Sequence, residues 1–518
     1  MNIGHLQPGD LVAISIYGVV VIWIGLHVSR RQVSTEEYFV AGRGMGSMIV
    51  GISIIATLLS TISYLTTPGE MIKNGTAFTW GMLSTPISFA IVGYLVIPRI
   101  MKHKITSGYE LLHERFGMTI RQTAAILFML VRLIWMGYVI FTCSHAVAEI
   151  SSIPLPLVLA LVGSIGTVYT VLGGVRAVMI TDVIQFVILF GGAVLTVGFI
   201  TWKCNGLSWW PDFGEISTKL KWENPEFITF SPFAQRITVA SAIFNGCFFW
   251  IATATSDQVM IQRYLCTRNA PQARRSLLTG MLGDIAIMVV LFLVGIALLG
   301  YFTQFPGETA DPTKSITEQA DDLFPQFIGA VLPQGITGLL VAALFAAAMS
   351  SLDSGITAIS SVLITDFKGL FARAVSDERA MVRRARWASL AIGIVAIIMS
   401  FTNFAVQAAF GDINLFELGG KISGFFIVPL FILFAMAFFV KFSTPAGAWA
   451  AIVVGFLAGV LFSYWKPLFD WWNGNNEALE FSFQWITISA AFFSIGAGMA
   501  VSLVTKPRAV SEAEDPGT

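Results

Sequence analysis

The sequence predicts an all-α polytopic membrane protein of about thirteen transmembrane helices. Three observations predict it. Of its 518 residues, 55% are hydrophobic and only 12% charged, about half the charge fraction of a soluble domain. The mean hydropathy is +0.76, and the chain holds many runs of the roughly 20 apolar residues that cross a bilayer. The basic residues also fall in alternate loops. A formal net charge of zero carries little information beside that distribution.

The apolar runs lie at 9–29, 46–72, 77–99, 122–148, 154–173, 178–202, 237–260, 277–303, 335–364, 384–403, 413–440, 445–465 and 482–504. Arg30 and Arg31 follow the first run, the wrong flank for a cleavable signal peptide, and put the N-terminus outside. Odd parity then puts the C-terminus inside. The charges agree. Loops assigned inside carry Arg30, Arg31, Arg43, Lys102, Lys104, Arg115, Arg121, Arg176 and Arg263, then Lys368 to Arg386, Lys441, Lys506 and Arg508. The two longest outside loops, Trp202 to Arg236 and Phe302 to Gln334, are acidic. This is a positive-inside pattern, so a multi-pass protein of a cell (inner) membrane is expected.

In the loop after the third run, Ser107 and Glu110 have capping-box spacing ahead of a short helix. Cys143, Cys204, Cys247 and Cys266 have no metal-ligand spacing and read as packing residues, Cys266 in a cytoplasmic loop. The tail after Val504 is short and polar and is expected to be disordered, with no soluble domain at either end.

The stretch Ala347 to Ser354 is out of place in an apolar run. Ala347, Ser350, Ser351 and Ser354 share one helical face, with Asp353 beside it. Oxygens gathered inside a membrane suit a small hard cation. Two further runs look broken. One has the polar middle Ala56 to Ser63 and ends in Pro68-Gly69; the other contains Thr253 to Gln258. They stand five spans apart, at matching places in two five-helix halves, which points to a transport site at the bilayer midplane. The halves show no sequence similarity, so the inverted repeat rests on position alone.

Several motifs between about residues 37 and 440 resemble the sodium:solute symporter family. They are Tyr38 to Arg43, Ala56 to Ser63, Ile105 to Phe116, Thr181 to Gln185, Asp257 to Arg263 and the serine stretch. The resemblance implies the LeuT-like 5+5 inverted repeat with broken first and sixth core helices. It divides the chain into an extra N-terminal helix and loop (1–36), a first repeat (37–205), a second repeat (206–440), two C-terminal helices (441–505) and a tail (506–518). It places a sodium site on the carbonyls of Ala56, Leu59 and Ala347 and the hydroxyls of Ser350 and Ser351. Close helix packing is the plainer reading of those serines.

Some relatives in the family, including bacterial sialic acid transporters, use a second sodium. The matching positions here are Asp182, Ser350 and Ser354, with Asp353 where that branch has serine. Two close carboxylates either hold a cation between them or share a proton. The plainer alternatives are an N-terminal helix acid at Asp182 and an Asp353 that faces cytoplasmic water.

For the substrate, the resemblance points to Ser60, Ser63, Phe78, Met82, Trp135 and Trp250. The sialic acid branch has glutamine at Met82 and arginine at Trp135, and the sugar branch differs at Ser63, Met82 and Trp250. The segment Leu65 to Glu70 looks more like the monocarboxylate, vitamin and iodide branch. Arg132 and Lys421 are basic residues within spans. They either neutralise an anionic solute or form structural ion pairs, Lys421 with Glu417 one turn away.

The expectation is therefore a sodium-coupled symporter that imports a small organic solute, an organic anion or carboxylate, by alternating access. Its partners are the solute, Na⁺ as coupling ion and the lipid bilayer, with no other cofactor, no nucleic acid and no required protein partner. A sodium/sugar symporter is the nearest alternative. A transporter-fold sensor lacks an output domain, a channel is disfavoured by the broken helices, and no nucleophile or metal constellation suggests an enzyme.

Overall fold

A computed structural model describes residues 6–29, 32, 34–211, 230, 233, 237–309, 311, 313–367, 377–473 except 411–414, and 481–505. The side chains at 76–78 and 408–424 are outside it. All regular secondary structure among the described residues is helical, without a strand. Three predicted features lie outside them: most of the loop 202–236, the tail 506–518, and the side chains of Phe78, Glu417 and Lys421.

The chain opens with α1 (Pro8–Ser29) and a short α2 (Thr35–Val40). The second predicted span is two helices, α3 (Ser47–Leu58) and α4 (Thr61–Asn74). The third is α5 (Ser84–Ile91) and α6 (Ile97–Met101), joined through a wider helical turn, Val92–Val96. A short α7 (Glu110–Phe116) leads into α8 (Met118–Ser151). The segment α9 (Leu155–Lys203) is two helices meeting at a kink, and they are the fifth and sixth predicted spans. The kink falls at Gly174, whose φ of 55° suits a residue without Cβ.

The seventh span is α10 (Val239–Ser256) and α11 (Gln258–Leu265). Then follow α12 (Ala270–Gln304), α13 (Ile336–Asp366), α14 (Glu378–Phe410), α15 (Leu415–Phe439), α16 (Pro445–Ser463), α17 (Trp465–Asn473) and α18 (Phe483–Val504). By length and apolarity ten described helices suffice to cross a membrane, or eleven with the bent pair Thr35–Arg43 and Ser47–Leu58. The number falls short of thirteen because kinked α9 holds two spans, a break splits the second predicted span, and the fully described part of the eleventh, Phe425–Phe439, is too short.

The helix carrying the serine stretch is the most enclosed. In α13, 83% of the most apolar window is buried, against 28% in α1. It packs along α9 and α8, with α3 and α1 on other sides. A polar helix can sit there because its hydroxyls meet protein partners, not lipid. Its N-terminus is held by α1: the Asp10 carboxylate accepts the backbone N–H groups of Gly335 (2.7 Å) and Gly338 (2.8 Å). A Cβ at Gly338 would fall 2.4 Å from the Asp10 Cα, so only glycine admits this approach.

The capping box before α7 forms in part. The Glu110 carboxylate accepts the N–H groups of Thr106 (2.9 Å) and Ser107 (3.0 Å), but the Ser107 hydroxyl accepts from Tyr109, not from Glu110. Two motifs far apart in sequence meet here. Gln258 accepts the Gly108 N–H (2.8 Å) and donates to the Thr106 carbonyl (2.8 Å), while the Tyr109 hydroxyl donates to the Ser256 carbonyl (3.0 Å).

Candidate ion and solute sites

The break between α3 and α4 creates the first site. Leu59 and Ser60 are extended, so the helical ladder stops with Leu59 N–H on the Ile55 carbonyl. Ala56 and Thr57 thereby lose their usual amide partners one turn on. Hydroxyls of α13 replace them. Ser350 donates to the Ala56 carbonyl (2.8 Å) and lies 3.1 Å from the Ala347 carbonyl; Ser351 donates to the Thr57 carbonyl (3.2 Å). Four of the five predicted residues are thus brought to one place. Leu59 marks the break, but the second carbonyl met by a serine belongs to Thr57.

A second cluster lies deeper. The Asp182 carboxylate accepts from Ser53 (2.5 Å) and stands 3.5 Å from Nη2 of Arg263. Arg263 also donates to Ser53 (3.2 Å), Thr57 (3.2 Å) and Ser354, and the hydroxyls of Thr57 and Ser354 are 2.8 Å apart. Asp353 accepts from Tyr169 and from Ser354 (3.3 Å). Asp182, Arg263, Asp353 and Ser354 are all fully buried.

Three expectations change. Arg263 does not sit in an inside loop: it belongs to α11 and is the largest fully buried side chain among the described residues. Asp353 does not face water. Cys266, expected in a loop, is buried at the end of α11. Loop assignment failed here because α11 is short and polar, so its apolar content does not distinguish it from the loop beyond.

The break between α10 and α11 falls at Asp257. Its carboxylate accepts the Val259 N–H (2.8 Å), capping α11. The same carboxylate stands 3.3 Å from Nη2 of Arg132 on α8. Arg132 is therefore engaged in a structural ion pair.

A cavity of about 310 Å³ opens beside the first break. Ser63, Met82, Trp135 and Trp250 line it, four of the predicted substrate residues. Ser60 is instead buried as the cap of α4, its hydroxyl accepting the Ser63 N–H (3.4 Å). Arg132 is not among the lining residues. Phe248 and Phe249 add aromatic wall, and Gln484 and Thr487 of α18 close one side. Asp284 of α12 also reaches the cavity. Sequence reading passed over it, although a carboxylate amid the apolar run 277–303 was a visible signal.

Comparison with known proteins agrees with this architecture. The sodium/sialic acid symporter SiaT of Proteus mirabilis (strain HI4320) is 28% identical over 459 residues, covering 87% of this chain and 89% of that one. The human sodium-coupled monocarboxylate transporter 1 is 27% identical, covering 90% of this chain and 74% of the relative. The solved structure of a substrate-bound, outward-open Na⁺-coupled sialic acid symporter superimposes with a TM-score of 0.80 at 24% identity, covering 97% of this chain and 99% of that one. The more distant nucleobase-cation symporter Mhp1 shares the fold at a TM-score of 0.56 and 13% identity, over 91% and 95% of the two chains. The model of the sodium:solute symporter family matches residues 38–455. The chain therefore belongs to the sodium:solute symporter family, a family of sodium-coupled secondary transporters and not of enzymes.

Proposed function

We propose that this protein imports a small organic carboxylate, of sialic acid, monocarboxylate or vitamin type, driven by the inward sodium gradient. The observation that carries the ion half is the pair of serine-to-carbonyl bonds across the α3–α4 break. Those oxygens are bonded to one another through hydroxyl protons. If the hydroxyls turn their lone pairs inward, the same oxygens of Ala56, Ala347, Ser350 and Ser351, with Leu59 at the break, become a cage for Na⁺. Binding there would tie α3 to α13, and the solute beside the break would feel the change. Ion and solute are coupled if both favour that arrangement.

The deeper cluster supports a second cation. It holds two carboxylates, Asp182 and Asp353, against one guanidinium, Arg263. One oxygen of Asp182, Oδ1, is buried without a hydrogen-bond partner. A buried surplus of negative charge is costly, and a small cation among Asp182, Ser350, Asp353 and Ser354 would relieve it. Each charge moved down 100 mV contributes about 2.3 kcal/mol.

We place the protein in the cell membrane with the N-terminus outside and the C-terminus cytoplasmic, on the basic-loop pattern. The halves 37–205 and 206–440 are read as an inverted repeat because each contains one helix broken at its polar middle. The first stretch, 1–36, is the added helix and loop, 441–505 the two C-terminal helices, and 506–518 a tail outside the described residues.

The test is reconstitution into liposomes with an imposed sodium gradient and labelled sialic acids, monocarboxylates, vitamins and sugars. Gradient-dependent accumulation of a carboxylate is expected. Uptake of every transported compound without sodium would sink the coupling, and uptake of sugars alone would move the substrate class to the sugar branch.

A further inference from the structure

The solute cavity holds one carboxylate that no described residue answers. On α12 the residues Leu277, Gly280, Met281, Asp284, Ile287, Met288 and Leu291 form the inward face, at helical spacing. Leu277, Met281, Ile287 and Leu291 are fully buried. Leu282 and Val289, on the opposite face, are exposed. Asp284 and Met288 are only half-buried although they point inward, because the cavity opens in front of them.

Among the described residues Asp284 makes no hydrogen bond and no ion pair. It is also the one ionisable side chain among the described residues that line the cavity. An intramembrane carboxylate of this kind is costly and calls for a partner. The partner is not Arg132, which pairs with Asp257 and does not line the cavity.

The rest of the wall narrows the chemistry. Trp135, Phe248, Phe249 and Trp250 offer aromatic faces, which attract a cation. Ser63, in the first turn of α4, and Thr67, one turn further on, add hydroxyls to the same wall, which suit an anionic end. We propose that the transported solute carries an ammonium group that meets Asp284, so that the substrate is a zwitterionic carboxylate and not a plain monocarboxylate. This rests on the reading of the cavity as the solute site and narrows it.

The experiment uses the full chain in proteoliposomes with an inward sodium gradient and two matched pairs of labelled compounds. The first pair is 4-aminobutyrate and butyrate. The second is glycine betaine and 3,3-dimethylbutanoate, which differ by nitrogen for carbon. The wild-type protein is expected to favour the ammonium member of at least one pair by about ten- to a hundredfold in kcat/KM, the range for a hydrogen-bonded charge. Asp284→Asn should erase that preference while keeping sodium-dependent thermal stabilisation, and Asp284→Glu should restore part of it. If Asp284→Asn does not fold, the wild-type preference within the pairs decides.

Equal or better sodium-driven uptake of the plain carboxylates overturns the inference and leaves symport intact. A preference that survives Asp284→Asn likewise overturns the role of Asp284. Absence of sodium-driven uptake for all four compounds, with sialic acids or sugars transported instead, overturns it too. No sodium-driven uptake of any compound overturns the reading of the cavity itself.

Discussion

Two spans are broken, and the breaks are finished in different ways. Between α3 and α4 the freed carbonyls of Ala56 and Thr57 meet only neutral hydroxyls from α13. Between α10 and α11 a charged residue, Asp257, caps the next helix and pairs with Arg132. Neutral hydroxyl bonds can be exchanged for a cation without stranding a charge. A capped, ion-paired break resists such exchange, because opening it separates Arg132 from Asp257 and leaves α11 uncapped. The first break is suited to bind and release; the second is suited to hold its shape while the first one moves.

The largest way to disturb this division lies between the two. Arg263→Ala removes the only cation facing Asp182 among the described residues. It should cost about 3–5 kcal/mol of stability, because a buried carboxylate is left uncompensated. Thermal unfolding of the detergent-purified variant measures it, and unchanged stability would show that the guanidinium is not required there. Next, Ser350→Ala should weaken the sodium dependence of uptake by about ten- to a hundredfold, the range for losing one bond to a charge, with Ser351→Ala close behind. Sodium titrations of uptake check this, and an unshifted titration would move the ion site elsewhere.

The second break should respond differently. In a double-mutant cycle of Arg132→Ala and Asp257→Ala, a coupling energy of about 1 kcal/mol is expected, since both side chains are partly exposed. The sodium titration should not shift. If it shifts as much as in Ser350→Ala, the two breaks are not separate in function. The smallest effect is expected at Ser60→Ala, where loss of the α4 cap should cost about 1 kcal/mol, read by thermal unfolding.

Much of this was legible in the sequence, and for physical reasons. Serines and a carboxylate inside an apolar run must find protein partners, so Ser350, Ser351 and Ser354 announced an enclosed helix. A polar middle followed by Pro68-Gly69 announced the first break. Arg263 was not legible, because a basic residue beyond a span is the ordinary mark of an inside loop. Only the fold reveals that α11 returns it to the core. Asp284 and the Thr57 carbonyl were missed for separate reasons. One is a single acid in a long apolar run. The other is a backbone atom whose availability depends on where the helix stops. The two spans of α9 were legible, and Gly174, non-helical at φ 55° and ψ −169°, is where they part.

The grip of Asp10 on Gly335 and Gly338 also bears on how the protein is assembled. The two partners are separated by 325 and 328 positions in the chain. During synthesis α1 enters the membrane long before α13 exists, so its buried carboxylate waits for most of the protein to be made. The ion-site helix is seated only when that contact closes. A chain interrupted before residue 338 would carry every oxygen of the first break and nothing to complete it, and the Asp10 carboxylate of α1 would keep only the Gln7 N–H, a feature by which a quality-control protease could tell unfinished molecules from finished ones.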